Sequence, residues 1–381
     1  MTWQNRTITI IGAGIGGLAL AAALRQRGIG VEIYEQAEAF ARVGAGIQMS
    51  PNAMRVLRGL GLEDRIRANA FQPQTWDSRD WDTGDYTNRA KLGAVTEERY
   101  GAPYIQMHRG DLHEFLASIV PADVIRFGKK LTRIQDRPNG YNLSFTDGSS
   151  AHAETLMGID GVHSVVRRHL LGEEAPRFMG RAAYRTTYPA HLLGGVKIDD
   201  NTKWWGKDRH IVIYYTTRNR DELYFTTSQP ETDWTTESWS AEGSLAEMRA
   251  AFAGFHPEVQ AVLEACPRVN KWALFERDPL PTWTRGAACL LGDACHPMLP
   301  YMAQGAASSL EDAAVLARCF DELGLDAAQQ VFQRFEALRK PRTSELQLTS
   351  HQNTFMQKRT NPDWVYGYDA WTVPLDAPMR P

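Results

Sequence analysis

Three groups of residues in this sequence have the types and spacing to do chemistry. The first is Gly12-Ala-Gly14-Ile-Gly16-Gly17, which follows an apolar run (Ile8, Ile10, Ile11) and opens an Ala/Leu-rich stretch. A second apolar run (Val31, Ile33) then ends in an acid, Glu35. G-x-G-x-x-G between a strand and a helix, with an acid about 20 residues on, is the fingerprint of a dinucleotide site. Gly12 permits the tight turn, Gly14 lets the backbone approach a pyrophosphate at the helix N-terminus, and Gly17 lets helix and strand pack closely. Glu35 stands where a carboxylate holds a ribose hydroxyl. The bland alternative is a βα turn with no ligand, and the acid-capped second strand argues against it.

The second group is Asp160-Gly161, at the end of the apolar stretch Thr155–Ile159, with Ser164 placed to cap the next helix. The third is Gly292-Asp293 at the end of Ala287–Leu291, followed by Pro297, Pro300, Tyr301 and a helix that starts near Gly305 and Ala306. Backbone N–H groups at such a helix start favour negative charge. His296, followed by Pro297, reads as a structural turn residue rather than a base.

The elements that position these groups alternate strand and helix, with one interruption. Gly44 and Gly46 mark a loop and strand where the backbone passes close to something, and Ser50-Pro51-Asn52 starts a helix through Leu57 and Leu60. From Phe71 to Gly101 the composition shifts to Trp, Asp, Thr and Gly, an excursion into a second domain. His108-Arg109-Gly-Asp111-Leu112 returns to the first, and a helix follows to Val120. Between about Arg181 and Asp278 the chain is rich in β-branched and aromatic residues, as in His210–Thr217 and Glu222–Thr227, with short connections that predict antiparallel pairing. Helices are expected over Ala241 to Phe255, Pro257 to Ala265, Gly305 to Phe320 and Ala327 to Lys340.

The bulk composition excludes several classes. The 381 residues allow about two domains. A net charge of −3 supplies no attraction for nucleic acid or an anionic membrane. The four cysteines form no C-x-x-C pair and no zinc spacing, as expected of free thiols in a reducing cytoplasm. Arg6 before the first apolar run resembles a signal peptide, but the glycine spacing has no role in one, so the run is expected in the mature protein. The 11 tryptophans are concentrated in Trp76, Trp81, Trp204, Trp205, Trp234 and Trp239, outside the nucleotide-binding elements. They suit either a pocket for a flat ligand or a second core.

Taken in order, the three groups resemble the single-component FAD monooxygenases of the para-hydroxybenzoate hydroxylase type, over essentially the whole chain. The resemblance implies an α/β fold: a Rossmann-type FAD-binding domain (1–72, 104–180 and 279–345), a mostly antiparallel β-sheet substrate domain (73–103 and 181–278), and a tail (346–381). It implies that Glu35 holds the adenosine ribose and that Arg42 and Arg109 contact the phosphates and ribityl chain. Asp293 would bind the ribityl side, and Pro300, Gly305 and Ala306 would face the flavin ring, with Gly46 near the cofactor. Asp160 belongs to a motif the family associates with both FAD and the nicotinamide cofactor, NADH or NADPH.

Lys203-Trp-Trp, Tyr214-Tyr215-Thr-Thr, Gly292–Met298 and Trp364-Val-Tyr-Gly-Tyr368 resemble one subgroup further: the enzymes that hydroxylate 6-hydroxynicotinate with loss of its carboxylate, giving 2,5-dihydroxypyridine. That subgroup carries histidine where this chain has Gln48 and Tyr301. An isomeric hydroxypicolinate or a hydroxybenzoate therefore stands beside 6-hydroxynicotinate as the expected substrate, with O2 as co-substrate. The expected residues around the substrate are His210, Tyr215, Gln48 and Tyr301. A flavin reductase, dehydrogenase, halogenase or flavin-binding sensor would use the same fold, but no halogenase lysine and tunnel signature and no appended interaction segment supports the last two. A cytoplasmic monomer or homodimer is expected.

Overall fold

A computed structural model describes residues 7–42, 45–232, 242–358 and 360–376. Gly44, Trp234, Trp239 and the first residue of the helix expected from Ala241 lie outside the described residues.

Thr7–Ile11 lies at the centre of a six-stranded sheet with both its faces covered, so its three isoleucines and Thr9 are all buried. It pairs in parallel with Gly30–Tyr34 on one side (Ile8 beside Val31, Ile10 beside Ile33) and with Thr155–Gly158 on the other. Ala288–Leu290 and Ile125–Arg126 extend the parallel array, and Thr284–Arg285 closes one edge as a hairpin. Helix Ile15–Arg25 packs on this sheet and on helix Gly305–Leu323, with Ala19, Ala21 and Ala23 keeping the approach close. The three nucleotide-type strands thus end on one side of the sheet, where α/β folds place their ligands.

A seven-stranded sheet makes the second layer, in the order Asn270–Glu276, Arg177–Pro189, Glu222–Pro230, His210–Tyr215, Asn201–Trp205, Thr75–Asp80, Tyr86–Lys91. Pairing is antiparallel except between Asn201–Trp205 and Thr75–Asp80. One face carries its own core, in which Phe71, Trp204, Ile211, Ile213 and Phe225 meet the helices Leu245–Ala251 and Pro257–Ala265. The fold is therefore α/β with a Rossmann-like region and a mixed, mostly antiparallel second sheet. A two-stranded ladder, Gly46–Met49 with Ile105–His108, lies between the layers.

Two expectations change. The last long helix does not end at Lys340 but runs from Ala328 to Gln352 through Pro341. Proline usually ends a helix by removing a donor, yet here tertiary bonds hold the next turns: Gln347 Nε2 donates to the Pro297 carbonyl and Ser350 Oγ to that of Leu299. A boundary at residue 346 falls inside this helix, and Leu346, Phe355 and Tyr366 share one apolar cluster with Trp76 and Tyr104 of the other segments. The helix over Leu245–Ala251 is also shorter than Ala241 to Phe255.

All four cysteines are buried, unpaired thiols. Among the described residues no cluster of His, Cys, Asp or Glu could hold a metal, and no helix is long and apolar enough to cross a membrane.

Candidate active site

The glycine turn shows why each glycine is there. Gly12 has φ +104°, and a Cβ on it would meet the Ile159 carbonyl oxygen at 2.4 Å. A Cβ on Gly17 would lie 2.0 Å from the Gly12 carbonyl oxygen, so helix and strand close only with glycine at both places. Gly14, the residue before helix Ile15–Arg25, would have nothing within 4 Å of a Cβ and lines a large cavity. Glu35 folds back on this turn: its carboxylate accepts the backbone N–H groups of Ala13 at 2.7 Å and Ala37 at 2.8 Å. Each oxygen keeps a lone pair for a further donor.

The cavity, about 410 Å³, runs from this turn to the face of the second sheet. Its wall includes Gly14, Gly46, Arg109, Asp293, Pro300, Gly305 and Ala306 on the first-layer side. Gly46 is needed by close approach: a Cβ there would meet the Tyr224 ring at 2.6 Å and the Tyr214 hydroxyl at 2.7 Å. Gly305 opens a 19-residue helix whose start faces the same space, giving the wall the positive end of a helix dipole.

That helix start is held by buried charge. Glu311 and Asp312 each accept from Arg339 at 2.7 Å, and Arg342 adds a bond to Glu311 at 2.9 Å. Asn52 joins Glu311 (2.7 Å) to Gln304 (3.0 Å), the residue just before the helix. His296 is buried against Asp312 at 2.5 Å. It braces the loop below the wall, the structural role its sequence context suggests.

The second-sheet side holds His210, Val212 and Tyr214 from one strand, with Gln48, Lys203, Trp272 and Tyr301. Tyr301 Oη shares a hydrogen bond with Ser228 Oγ (2.9 Å), and its ring stands 5.4 Å from that of His210. Gln48 Oε1 accepts the Tyr104 hydroxyl at 2.7 Å, and its Nε2 reaches Asn201 at 3.4 Å. Burial holds His210 well below the ordinary histidine pKa, so its ring is neutral. Burial likewise pushes the Lys203 ammonium well below its ordinary range and lowers Arg185, also on the wall, to about 10.

Six expected site residues do not line this cavity: Gly12, Gly17 and Glu35 sit behind it at the glycine turn, and Tyr215, Arg42 and Asp160 are engaged elsewhere. Successive strand residues face opposite ways, so with His210 and Tyr214 in the cavity, Tyr215 turns into the opposite core, its ring 5.6 Å from Phe71. Arg42 is half exposed and paired with Asp111 (2.6 Å) and Glu222 (3.1 Å). Asp160 caps the helix Val165–Leu171: its carboxylate accepts from Ser164 Oγ and from the N–H groups of Val165 (2.7 Å) and Val166 (3.2 Å). Its neighbours Gly161 and Val162 line the cavity instead. Ser164 caps the same helix by accepting the Arg167 N–H. The residues not anticipated are Tyr214, Tyr224, Trp272, Arg185, Lys203 as a wall residue, and Asn353 behind it. Strand parity counted from His210 points to Tyr214, and a lysine followed by two tryptophans on a sheet strand points to Lys203.

A glycine-turn strand–helix unit, an acid at the end of the second strand and a helix start facing the same cavity define a FAD-binding α/β protein. The chain belongs to the FAD binding domain family, whose model matches residues 5–348. It is 47% identical over 370 residues to 6-hydroxynicotinate 3-monooxygenase of Bordetella bronchiseptica, covering 97% of this chain and 96% of that one. It is 45% identical over 377 residues to 6-hydroxynicotinate 3-monooxygenase of Pseudomonas fluorescens, covering 98% of each. Klebsiella pneumoniae HpxO, solved with FAD and uric acid, superposes with a TM-score of 0.83 at 26% identity, covering 95% of this chain and 91% of that one. The protein is a flavin-dependent monooxygenase.

Proposed function

We propose that this enzyme hydroxylates a small hydroxylated pyridine- or benzene-carboxylic acid, with NADH or NADPH as reductant, releasing CO2 where the attacked carbon bears the carboxylate. The observation that carries this reading is one cavity with the glycine turn and a helix start on one side and Lys203, His210, Gln48 and Tyr301 on the other. The names of the similar proteins support the substrate class.

The residues present fit FAD. Open space above Gly14 leaves room for a pyrophosphate at the start of helix Ile15–Arg25, and the Glu35 carboxylate is already fixed at that turn for a ribose hydroxyl. Arg109 and Asp293 would hold the ribityl and phosphate portion, and the backbone at Gly305 and Ala306 would lie against the ring, where the helix start favours negative charge. When bound, FAD supplies hydride acceptance and oxygen transfer to the aromatic ring.

The chain's own residues place the substrate and tune its charge. A ring hydroxyl activates the positions ortho and para to it, more so when it is ionised. The neutral His210 ring offers a nitrogen that can accept a hydrogen bond from that hydroxyl. Tyr301 and the Gln48 amide supply further polar contacts, while Trp272 and the Tyr214–Tyr224 pair, 4.9 Å apart, wall the ring from water. In place of the two histidines of the resembled subgroup, an amide and a phenol make this wall less titratable. That favours a hydroxypicolinate or hydroxybenzoate beside 6-hydroxynicotinate.

The test is a panel of hydroxypyridine- and hydroxybenzene-carboxylates, read as stimulated NADH or NADPH oxidation with product analysis under labelled O2. Label in the ring of the product is the expected result. Reductant consumption with no label in any product would turn the reading into a dehydrogenase or oxidase.

A further inference from the structure

We propose that Lys203 receives the carboxylate of the substrate and that Asn353, at the end of the last long helix, is the positioning residue that holds it there. The inference rests on the acid-hydroxylase reading above. Lys203 lies in the strand Asn201–Trp205, is 2% exposed, and lines the cavity. Its Nζ donates to Asn353 Oδ1 at 2.9 Å and stands 3.8 Å from the Trp205 ring and 5.6 Å from that of Tyr301. Among the described residues no carboxylate lies within 4.0 Å of it; a neutral amide and two aromatic faces are in contact with it, and the further charge near it, Arg181, has the same sign.

An ammonium has three donors, and a buried one without a counter-ion is costly. An apolar residue would suit a strand position between two packed layers better, unless an anion arrives to complete the pair. The other cations of the wall are engaged elsewhere. Arg277 donates to the carbonyls of Glu174 and Val162, Arg185 lies over the Trp272 ring, and Arg109 begins a helix on the first-layer side. Of the cations lining the cavity, Lys203 is the one that stands by Tyr301 and His210; Arg181, behind them, is held by its Nε on Ser228 Oγ at 2.8 Å.

Asn353 supports this from a distant part of the chain. It has φ +51°, a left-handed conformation that asparagine tolerates better than most residues, and it ends the helix Ala328–Gln352. Its side chain joins both cavity groups, Oδ1 on Lys203 and Nδ2 3.5 Å from His210 Nδ1. Burial lowers the lysine's proton affinity, and an anion beside it restores the protonated form. A ligand lacking the carboxylate gains nothing from this lysine, so the acid is preferred by the strength of that pair.

The experiment uses the FAD-loaded enzyme and reads binding from the change in flavin absorption. The probe is whichever of 6-hydroxynicotinate, 5-hydroxypicolinate and 4-hydroxybenzoate the wild type hydroxylates, beside its carboxyl-free counterpart (2-hydroxypyridine, 3-hydroxypyridine or phenol). Lys203→Met should raise the Kd of the acid by about tenfold or more and leave that of the counterpart within about twofold. Asn353→Asp keeps a hydrogen-bond acceptor on Nζ but adds a competing carboxylate, so it should weaken the acid selectively too. Equal losses for acid and counterpart, or an acid bound as in the wild type by either variant, overturn the assignment while the hydroxylase reading stands. A wild type that hydroxylates none of the acids overturns that reading as well.

Discussion

Arg339→Met tests whether the buried charge behind the flavin side of the cavity holds the fold together. Arg339 is fully buried and binds both Glu311 and Asp312 at 2.7 Å. Removing it does not strand the two acids equally. Glu311 keeps Arg342 (2.9 Å) and Asn52 (2.7 Å), whereas Asp312 keeps only His296 and a long 3.4 Å bond from the Gly292 N–H. The loss therefore falls mainly on Asp312. Breaking a buried pair costs about 3–5 kcal/mol, a large part of the roughly 5–15 kcal/mol that stabilises a typical protein.

The variant should lose about that much in urea unfolding followed by tryptophan fluorescence, since Trp283 stands 5.5 Å from His296. Adding Asp312→Asn removes the stranded charge, so the double variant should be less destabilised than the sum of the single changes by about 1–2 kcal/mol. The pH dependence has a definite sign. Burial by itself would raise the Asp312 pKa, but the neighbouring His296 and Arg339 hold it below the ordinary aspartate range. Its stabilising contribution is therefore present above the unfolded-state pKa and is lost as pH falls through the folded one. Without Arg339 the folded pKa rises, so acid unfolding should begin at a higher pH than in the wild type. A single variant within about 1 kcal/mol of wild type, or a double variant no better than additive, would refute the account.

Other perturbations probe the site. Glu35→Ala should weaken FAD retention by about 1–3 kcal/mol, read by ultrafiltration of the yellow protein; unchanged retention would remove Glu35 from the ribose role. Tyr215→Phe should leave kcat/KM within about twofold, because its ring packs in the far core, whereas a lost hydrogen bond to an ionised substrate would cost roughly 10- to 150-fold. A loss in the larger range would return Tyr215 to the substrate. Gln48→His with Tyr301→His should move the kcat/KM ratio toward 6-hydroxynicotinate by about tenfold, and an unmoved ratio would show that these positions do not set specificity.

Much of the nucleotide half was legible in the sequence, because its constraints are local. Whether a residue can adopt φ +104° at Gly12, or let a helix settle on a strand at Gly17, depends on that residue having no Cβ. Glycine spacing and apolar periodicity state those needs directly. The strand–helix–strand unit, the acid at Glu35, the helix start at Gly305 and the aromatic second sheet all follow from patterns a few residues long.

What the tertiary structure decided is which side chain meets which. Tyr214 and Tyr215 are indistinguishable by type, and the orientation of one strand between two layers put the first in the cavity and the second in the far core. Asp160 carries a family signal but is occupied as a helix cap, because Ser164 and the start of Val165–Leu171 fold within reach of its oxygens. Arg42 found its partners 69 and 180 residues away. Asn353 reaches Lys203 across 150 residues, carried by a helix that continues through Pro341 because its far end is bonded to the loop at Pro297 and Leu299. Hydrogen bonds and ion pairs act over about 3 Å in space with no regard for separation along the chain, so these pairings exist only once the two sheets and the last helix have closed on one another.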